Sequence, residues 1–262
     1  MPQIWKYPRT RHIEGSRLQA GDEDLDAVPF RALVGRHLVV EEKMDGANCA
    51  VSFGQGGELR LQSRGHYLTG GGREKHFSLF KQWASSQATV LQERLADRYV
   101  MYGEWLYAKH TVFYDALPHY FLEFDVLDTR DNVFLGTARR EDLLAGLPVI
   151  SVPVLHEGPL RRLKDLAALI GPSRYITAMQ SERLRQQCER LSLDVERAQR
   201  ETDRSGLMEG LYIKVEEEGR VVERYKYVRA DFLTAVFAAE GHWLDRPIIP
   251  NLLHDGARRF EA

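Results

Sequence analysis

The sequence predicts an α+β chain built on an antiparallel-sheet-rich core with flanking helices. Two observations carry this. Short apolar runs alternate with polar residues over 37–64, 99–107, 120–127 and 211–228, several of them joined by glycine turns. Between them, 74–97 and 159–204 read as helices with one apolar side. A length of 262 residues and a hydrophobic content of 44% suffice for one large core.

Residues 1–36 are mixed and turn-rich, with Lys6, Arg9, Arg11 and Arg17 clustered around His12. Such a segment is either a solvated leader or a basic arm that meets phosphates. Residues 37–64 read as a hairpin-rich sheet. Glu41-Glu42-Lys43-Met44-Asp45-Gly46-Ala47-Asn48 is its most informative stretch: a strand end, a tight turn at Gly46, and a second strand. Val39, Glu41 and Lys43 share one strand face, and Val40, Glu42 and Met44 the other. Gly54-Gln55-Gly56-Gly57 turns the chain into a strand closed by Ser63-Arg64-Gly65, and Gly70–Gly72 form a loop.

The helix over 74–97 has Phe77, Phe80, Trp83, Val90, Leu91 and Leu95 as its apolar side. Strands follow at Tyr99–Tyr107 and Tyr120–Leu127. Thr137 is placed to cap a short helix through Leu144. Leu184, Cys188, Leu191, Val195 and Ala198 form a stripe that predicts an amphipathic helix packed on the sheet. Strands return at Leu211–Val215 and Val221–Val228 around a turn at Glu218-Gly219. An apolar helix through Phe232, Val236 and Phe237 ends the chain. The expected organisation is one domain over 1–262, with a basic segment at 1–36, a helical insert at 150–205 and a short helical tail at 230–262.

The net charge of -2 advertises no global nucleic-acid footprint, although local patches remain open. Two cysteines, Cys49 and Cys188, are too few for a disulfide framework, so a reducing cytoplasm is expected. No apolar signal core or membrane-length run is present. His12, His66, His76, His110 and His119 lack metal-ligand spacing. Ser63 has no nucleophile-elbow pattern, which argues against hydrolase chemistry.

Five short pieces stand in order: Lys43-Met44-Asp45-Gly46, Ser63-Arg64-Gly65, Tyr102-Gly103-Glu104-Trp105, Glu209-Gly210-Leu211-Tyr212-Ile213-Lys214 and Arg224-Tyr225-Lys226. Phe124-Asp125 lies between the third and fourth. Together they resemble the covalent nucleotidyltransferase superfamily of ATP-dependent DNA and RNA ligases and capping guanylyltransferases. Asn48 and the opening from Lys6 to Ser16 are most similar to the RNA ligase branch, near the RNA ligase 2 type. The resemblance implies a nucleotidyltransferase (ATP-grasp-like ligase adenylation) domain using ATP and Mg²⁺ or Mn²⁺. Its substrate would be RNA with 5′-phosphate and 3′-hydroxyl ends, with an end-healing kinase or phosphatase as a candidate partner.

The resemblance also implies roles. Lys43 is the nucleophile, with Lys214, Lys226 and Asp45 in the catalytic group. Glu41, Glu42, Asn48, Arg64, Glu104, Phe124 and Arg224 meet the nucleotide: Glu41 accepts from the adenine amino group, and Phe124 stacks on the ring. Glu104 and Glu209 offer oxygens to the metal, and Glu104 alternatively holds the ribose. Asp45 serves the site or holds the turn at Gly46. Phe124 reads equally well as a buried strand aromatic from its residues alone.

A nucleophilic lysine must be neutral, yet at a pKa of about 10.4 only about one in 10³ is neutral at pH 7. Glu41, Glu42 and Asp45 push the wrong way, so cations must offset them: a metal ion, Arg64, Lys214 or Lys226. The first lysine of the family's last motif is replaced by Arg224. The chain after Lys226 is short for the C-terminal oligonucleotide-binding (OB) barrel of DNA ligases and capping enzymes, so no such barrel is expected. DNA nick sealing, capping-type transfer and a non-catalytic nucleotide-binding subunit remain as alternatives.

Overall fold

The computed structural model describes residues 3–18, 26–232 and 247–257. The elements run β1 (Arg11–His12), β2 (Leu38–Lys43), β3 (Ala47–Phe53), β4 (Leu59–Ser63), α1 (Ser78–Ser86), α2 (Ala88–Leu95), β5 (Tyr99–Trp105) and β6 (Phe121–Asp128). They continue with β7 (Val133–Leu135), α3 (Thr137–Leu144), β8 (Ile150–Ser151), β9 (Val154–Gly158), α4 (Leu163–Ala167), α5 (Gln180–Arg190), α6 (Val195–Arg200), β10 (Gly210–Glu217) and β11 (Arg220–Val228).

The strands order as β4-β3-β5-β6-β7-β11-β10-β2-β9, with β1 added on β11 and β8 on β6. Every pair on that path is antiparallel. The three residues of β7 join two larger halves, one ending at β6 and the other beginning at β11. The result is an α+β, antiparallel-sheet-rich fold, and among the described residues no barrel closes.

Each half has its own apolar layer. Cys49, Val51, Leu61 and Met101 pack on Phe80, Trp83, Leu91 and Leu95 of α1 and α2. Leu38, Val40, Leu211, Ile213 and Tyr225 pack on Ile13, Phe30, Leu33 and Leu166. Ala50, Val100 and Tyr102 alternate with the first set and so occupy the opposite face of their strands. There they meet Tyr7, Leu127, Phe134, Phe124 and Tyr212, a third cluster drawn from both halves.

The opening segment is part of this fold rather than a solvated leader. β1 pairs in parallel with β11, and His12 is fully buried. The Trp5 carbonyl accepts from Gln62 Nε2 at 2.7 Å and from the Tyr102 hydroxyl at 2.8 Å.

Several expectations need correction. β2 and β3 do not form a hairpin: β2 pairs with β10 and β9, whereas β3 pairs with β4 and β5. Residues 44–46 therefore cross from one half to the other. Gly46 is demanded by close approach, not by a turn with positive φ: a Cβ there would meet Leu106 Cδ2 and the Trp105 oxygen at 2.7 Å. The helix over 74–97 is two helices broken at Gln87, and Val90 is 40% exposed. Gly136, not Thr137, sits at the α3 N-cap; Thr137 donates its N–H and hydroxyl to Glu216.

The stripe expected on one long helix is split between α5 and α6, which pack on Phe113 and Ile249 rather than on the sheet. Asp194 caps α6 by accepting from Arg197 N at 2.9 Å. The segment 150–205 opens with strands, since β9 lies beside β2. The helix expected through Phe232, Val236 and Phe237 falls, after Phe232, outside the described residues.

Candidate active site

A cavity of about 570 Å³ lies where the two halves face each other. Its walls include Glu41, Glu42, Lys43, Asn48, Arg64, Glu104, Phe124 and Lys226 from the expected set, and Tyr7, Thr10, His66 and Tyr212 besides. Strand register explains the gathering. Asn48 stands opposite Glu104 on β3 and β5. Glu41, Tyr212, Lys226 and His12 form one cross-strand row over β2, β10, β11 and β1. One row along, Val39, Lys214 and Arg224 align.

Lys43 ends β2 with its side chain 21% exposed. Its Nζ donates to Glu209 Oε1 at 2.5 Å. Burial alone would lower its pKa, but Glu209, Glu104 and Asp45 outweigh burial and raise it. Glu209 lies beneath the lysine, 1% exposed. Glu104 accepts from Gly46 N at 3.1 Å. Burial pushes the Glu104 carboxyl up to about 8; Lys43 pulls it down, while Glu209 and Asp45 push it further up. On the opposite strand face, burial pushes the Glu42 carboxyl up to about 7, against Ser173 and Arg174.

Asp45 does not line the cavity. Its Oδ2 accepts from the N–H groups of Thr111 and Val112, both at 2.7 Å, and its own N–H donates to the Tyr114 hydroxyl at 2.9 Å. It anchors the crossover to the loop after β5.

Phe124 is the bulge residue of β6. Tyr102 pairs with Asp125 and Gly103 with Glu123, so Phe124 has no cross-strand partner. A bulge re-aims a side chain and frees its backbone. The ring turns to the cavity, 6.2 Å from the Tyr212 ring and edge-on to Tyr7 at 5.1 Å. Its freed carbonyl accepts from Lys214 Nζ and Arg140 Nη1.

Lys214 and Arg224 do not reach the cavity surface. Lys214 is 1% exposed, donating to Glu41 Oε1 at 2.9 Å, with Asp125 at 3.3 Å. Arg224 lies over the Phe134 ring at 3.9 Å, with Asp125 at 3.6 Å. With Arg140, these cations face Glu41, Glu123 and Asp125. Burial would raise the Asp125 carboxyl, but Lys214, Arg224 and Arg140 hold it below the usual range. Burial wins at Glu123, whose carboxyl is raised. Tyr7, pushed well above 10 chiefly by burial, donates to Asp125. Arg64 stands exposed at the rim with no ion pair among the described residues.

Arg140, Glu123, Tyr7, Thr10 and Tyr212 escape the sequence reading. Tyr212 was within reach, since it lies two residues before Lys214 and shares its strand face. Tyr7 belongs to the opening stretch but carries no signal of where it packs. Arg140 gave none: Thr-Ala-Arg-Arg-Glu-Asp reads as a solvated helix face.

Among the described residues, no group of three or more histidine, cysteine or carboxylate side chains is assembled for a metal. Glu104 and Glu209 are two carboxylates in one electrostatic cluster. Glu104 lines the cavity and Glu209 does not; by donor type the two suit Mg²⁺ or Mn²⁺, since Mg²⁺ is usually held through one or two carboxylates while keeping several waters.

Residues 36–228 match the RNA ligase family model. No curated protein sequence matches the chain. Among solved structures, a Naegleria gruberi RNA ligase mutant with ATP and Mn superposes at a TM-score of 0.57 and 15% identity, over 91% of this chain and 60% of that one. A second mutant of the same enzyme with ATP and Mn gives 0.54 and 15%, over 80% and 54%. A third, with AMP and Mn, gives 0.52 and 15%, over 90% and 66%. The chain thus spans under two-thirds of these proteins, and the likeness concerns the fold.

Proposed function

The chain belongs to the RNA ligase family, and from that premise we propose that it is an ATP-dependent RNA ligase working through a lysyl-adenylate on Lys43. The observation that carries the reading is one cavity that gathers Lys43, Glu41, Asn48, Glu104, Phe124 and Lys226 from five strands. Neutral Lys43 Nζ attacks the α-phosphorus of ATP. A nitrogen–phosphorus bond forms, the bond to the bridging oxygen breaks, and pyrophosphate leaves. AMP then passes to an RNA 5′-phosphate, and a 3′-hydroxyl displaces it to join the strands. Ends of that kind would come from a kinase or phosphatase acting first.

The remaining residues divide the substrate. Glu41 takes the adenine amino group, and the Phe124 ring packs on the base with Tyr212 across from it. Asn48 holds the ribose. Arg64 and Lys226 meet phosphates, the guanidinium fork suiting an oxyanion. Glu104 and Glu209 would hold Mg²⁺ or Mn²⁺, which supplies charge at the phosphates. Glu209 also keeps the Lys43 ammonium in place until its proton is lost. Lys214 and Arg224 act from behind, fixing Glu41 and Asp125. All this belongs to one adenylation domain.

Incubation with α-labelled ATP and Mg²⁺ tests the proposal. Label should stay on the chain, stable to base and released by acid, and Lys43→Ala should abolish it. An unlabelled wild-type chain or a labelled Lys43→Ala overturns it.

A further inference from the structure

After Trp83, Arg140 is the largest fully buried side chain among the described residues. Its helix is fixed at its start. Thr137 donates its N–H and hydroxyl to Glu216 at 2.9 and 2.6 Å, and Gly136 N–H donates to the Gly219 carbonyl at 2.9 Å. One turn in, Arg140 reaches under the cavity. Nη2 donates to Glu41 Oε1 at 2.8 Å. Nη1 donates to the Phe124 carbonyl and lies 3.5 Å from Glu123 Oε1. Glu41 stands on β2 in one half of the sheet, and Phe124 on β6 in the other. A guanidinium is a planar, rigid fork, so one group fixes the spacing between two opposing walls.

We infer that Arg140 is a positioning residue for base selection: it aims the Glu41 carboxylate and sets its distance from the Phe124 ring, favouring adenine over guanine. The inference rests on the cavity being a nucleotide site. Glu41 Oε1 accepts from both Arg140 and Lys214. Oε2 is buried with no partner among the described residues. A carboxylate anchored through one oxygen offers the other as an acceptor. The amino group at the adenine six-position donates to it. The guanine carbonyl at that place would set acceptor against acceptor and leave both unpaired, the kind of mismatch that gives polar sites their large discrimination. Lys214 also donates to Glu41 Oε1 and to the Phe124 carbonyl, but its flexible ammonium is shared with Asp125 at 3.3 Å, so it supports the spacing without fixing it as a planar fork does.

The test is the ratio of ATP to GTP affinity, by equilibrium dialysis of the full chain with Mg²⁺, alongside thermal melting. The wild type should prefer ATP. Arg140→Met should cut the preference about 10- to 100-fold, the scale of the penalty for one buried polar group that loses its partner. ATP affinity should account for most of that loss. Arg140→Lys keeps the buried charge but reaches one acceptor at a time, so it should restore part of the preference. If both affinities fall by the same factor, or the ratio does not move, Arg140 is merely structural and the inference is overturned. Equal wild-type affinities overturn it too. Should Arg140→Met fail to fold, Arg140→Lys carries the test, and an unchanged ratio refutes it. Failure to form a Lys43 adduct would sink the ligase reading alone, since the binding ratio is measured without it.

Discussion

Replacing Gly46 by alanine tests the crossover that carries Lys43. The added Cβ would meet Leu106 Cδ2 and the Trp105 carbonyl oxygen at 2.7 Å, and Glu104 Cγ at 3.0 Å. Leu106 is fully buried, and the oxygen belongs to the backbone, so neither yields cheaply. Overpacking of this kind costs about 1–3 kcal/mol. At about 2–4 °C per kcal/mol for a chain of this size, the melting temperature should fall by about 2–12 °C. The effect on chemistry should be larger in proportion. Relief must move 44–46 away from β5, and Lys43 moves with them; a shift of about 1 Å costs about 10²-fold. The assay is single-turnover adduct formation from α-labelled ATP, with melting in parallel. Gly171→Ala is the control, since a Cβ there meets nothing within 4 Å. Wild-type rate and melting in Gly46→Ala, or an equal loss in Gly171→Ala, would refute the argument.

Three further outcomes are expected. The acids around Lys43 raise its pKa, so at limiting metal the adduct rate should climb nearly tenfold per pH unit from 6 to 9; a flat profile contradicts this. Glu104 holds a proton in the folded chain up to about pH 8, against 4.5 as its ordinary value, so stability falls as pH rises between those values. Glu104→Gln should flatten that dependence and melt above wild type at pH 8 while losing metal-dependent adduct formation; melting below wild type there would reverse the sign. Phe124→Ala should weaken ATP binding by about 1–3 kcal/mol, the worth of one base–aromatic stack, read by calorimetry; unchanged affinity would remove the ring from the base site.

Seven of the eleven described strands, and the residues along their faces, were legible because alternation is local; β1, β7, β8 and β9 have only two to five residues each and give no such signal. Glu41, Lys43 and Asn48 could be assigned to strands, and the turn at Glu218-Gly219 is where the sequence puts it, with both residues at positive φ. Partnership was not legible. Nothing local says that β2 pairs with β10 rather than β3, since that depends on where the chain returns some 170 residues later. The bulge at Phe124 arises from register between β5 and β6, which neither strand encodes alone. Arg140 shows the limit most plainly: a buried arginine and a solvated one have the same sequence, and only the carboxylates around it distinguish them.

The placement of the cations changes how the site must work. On sequence, Lys214 and Lys226 belong to the catalytic group and Arg224 meets the nucleotide. In the fold, Lys214 and Arg224 join Arg140 against Glu41, Glu123 and Asp125, three cations facing three carboxylates. Buried ion pairs give little net stability, since desolvation offsets attraction, and apolar replacements are often as stable. Their value here is positional. Glu41 and Phe124 belong to opposite halves of the sheet, joined in the strand order only through three residues of β7. Lys214 and Arg140 each touch both, so the charged cluster ties the halves at one spacing. Those charges are then largely spent on protein partners. On the proposed ligase reading, a triphosphate would be met by Arg64 and Lys226, which line the cavity, together with a divalent ion.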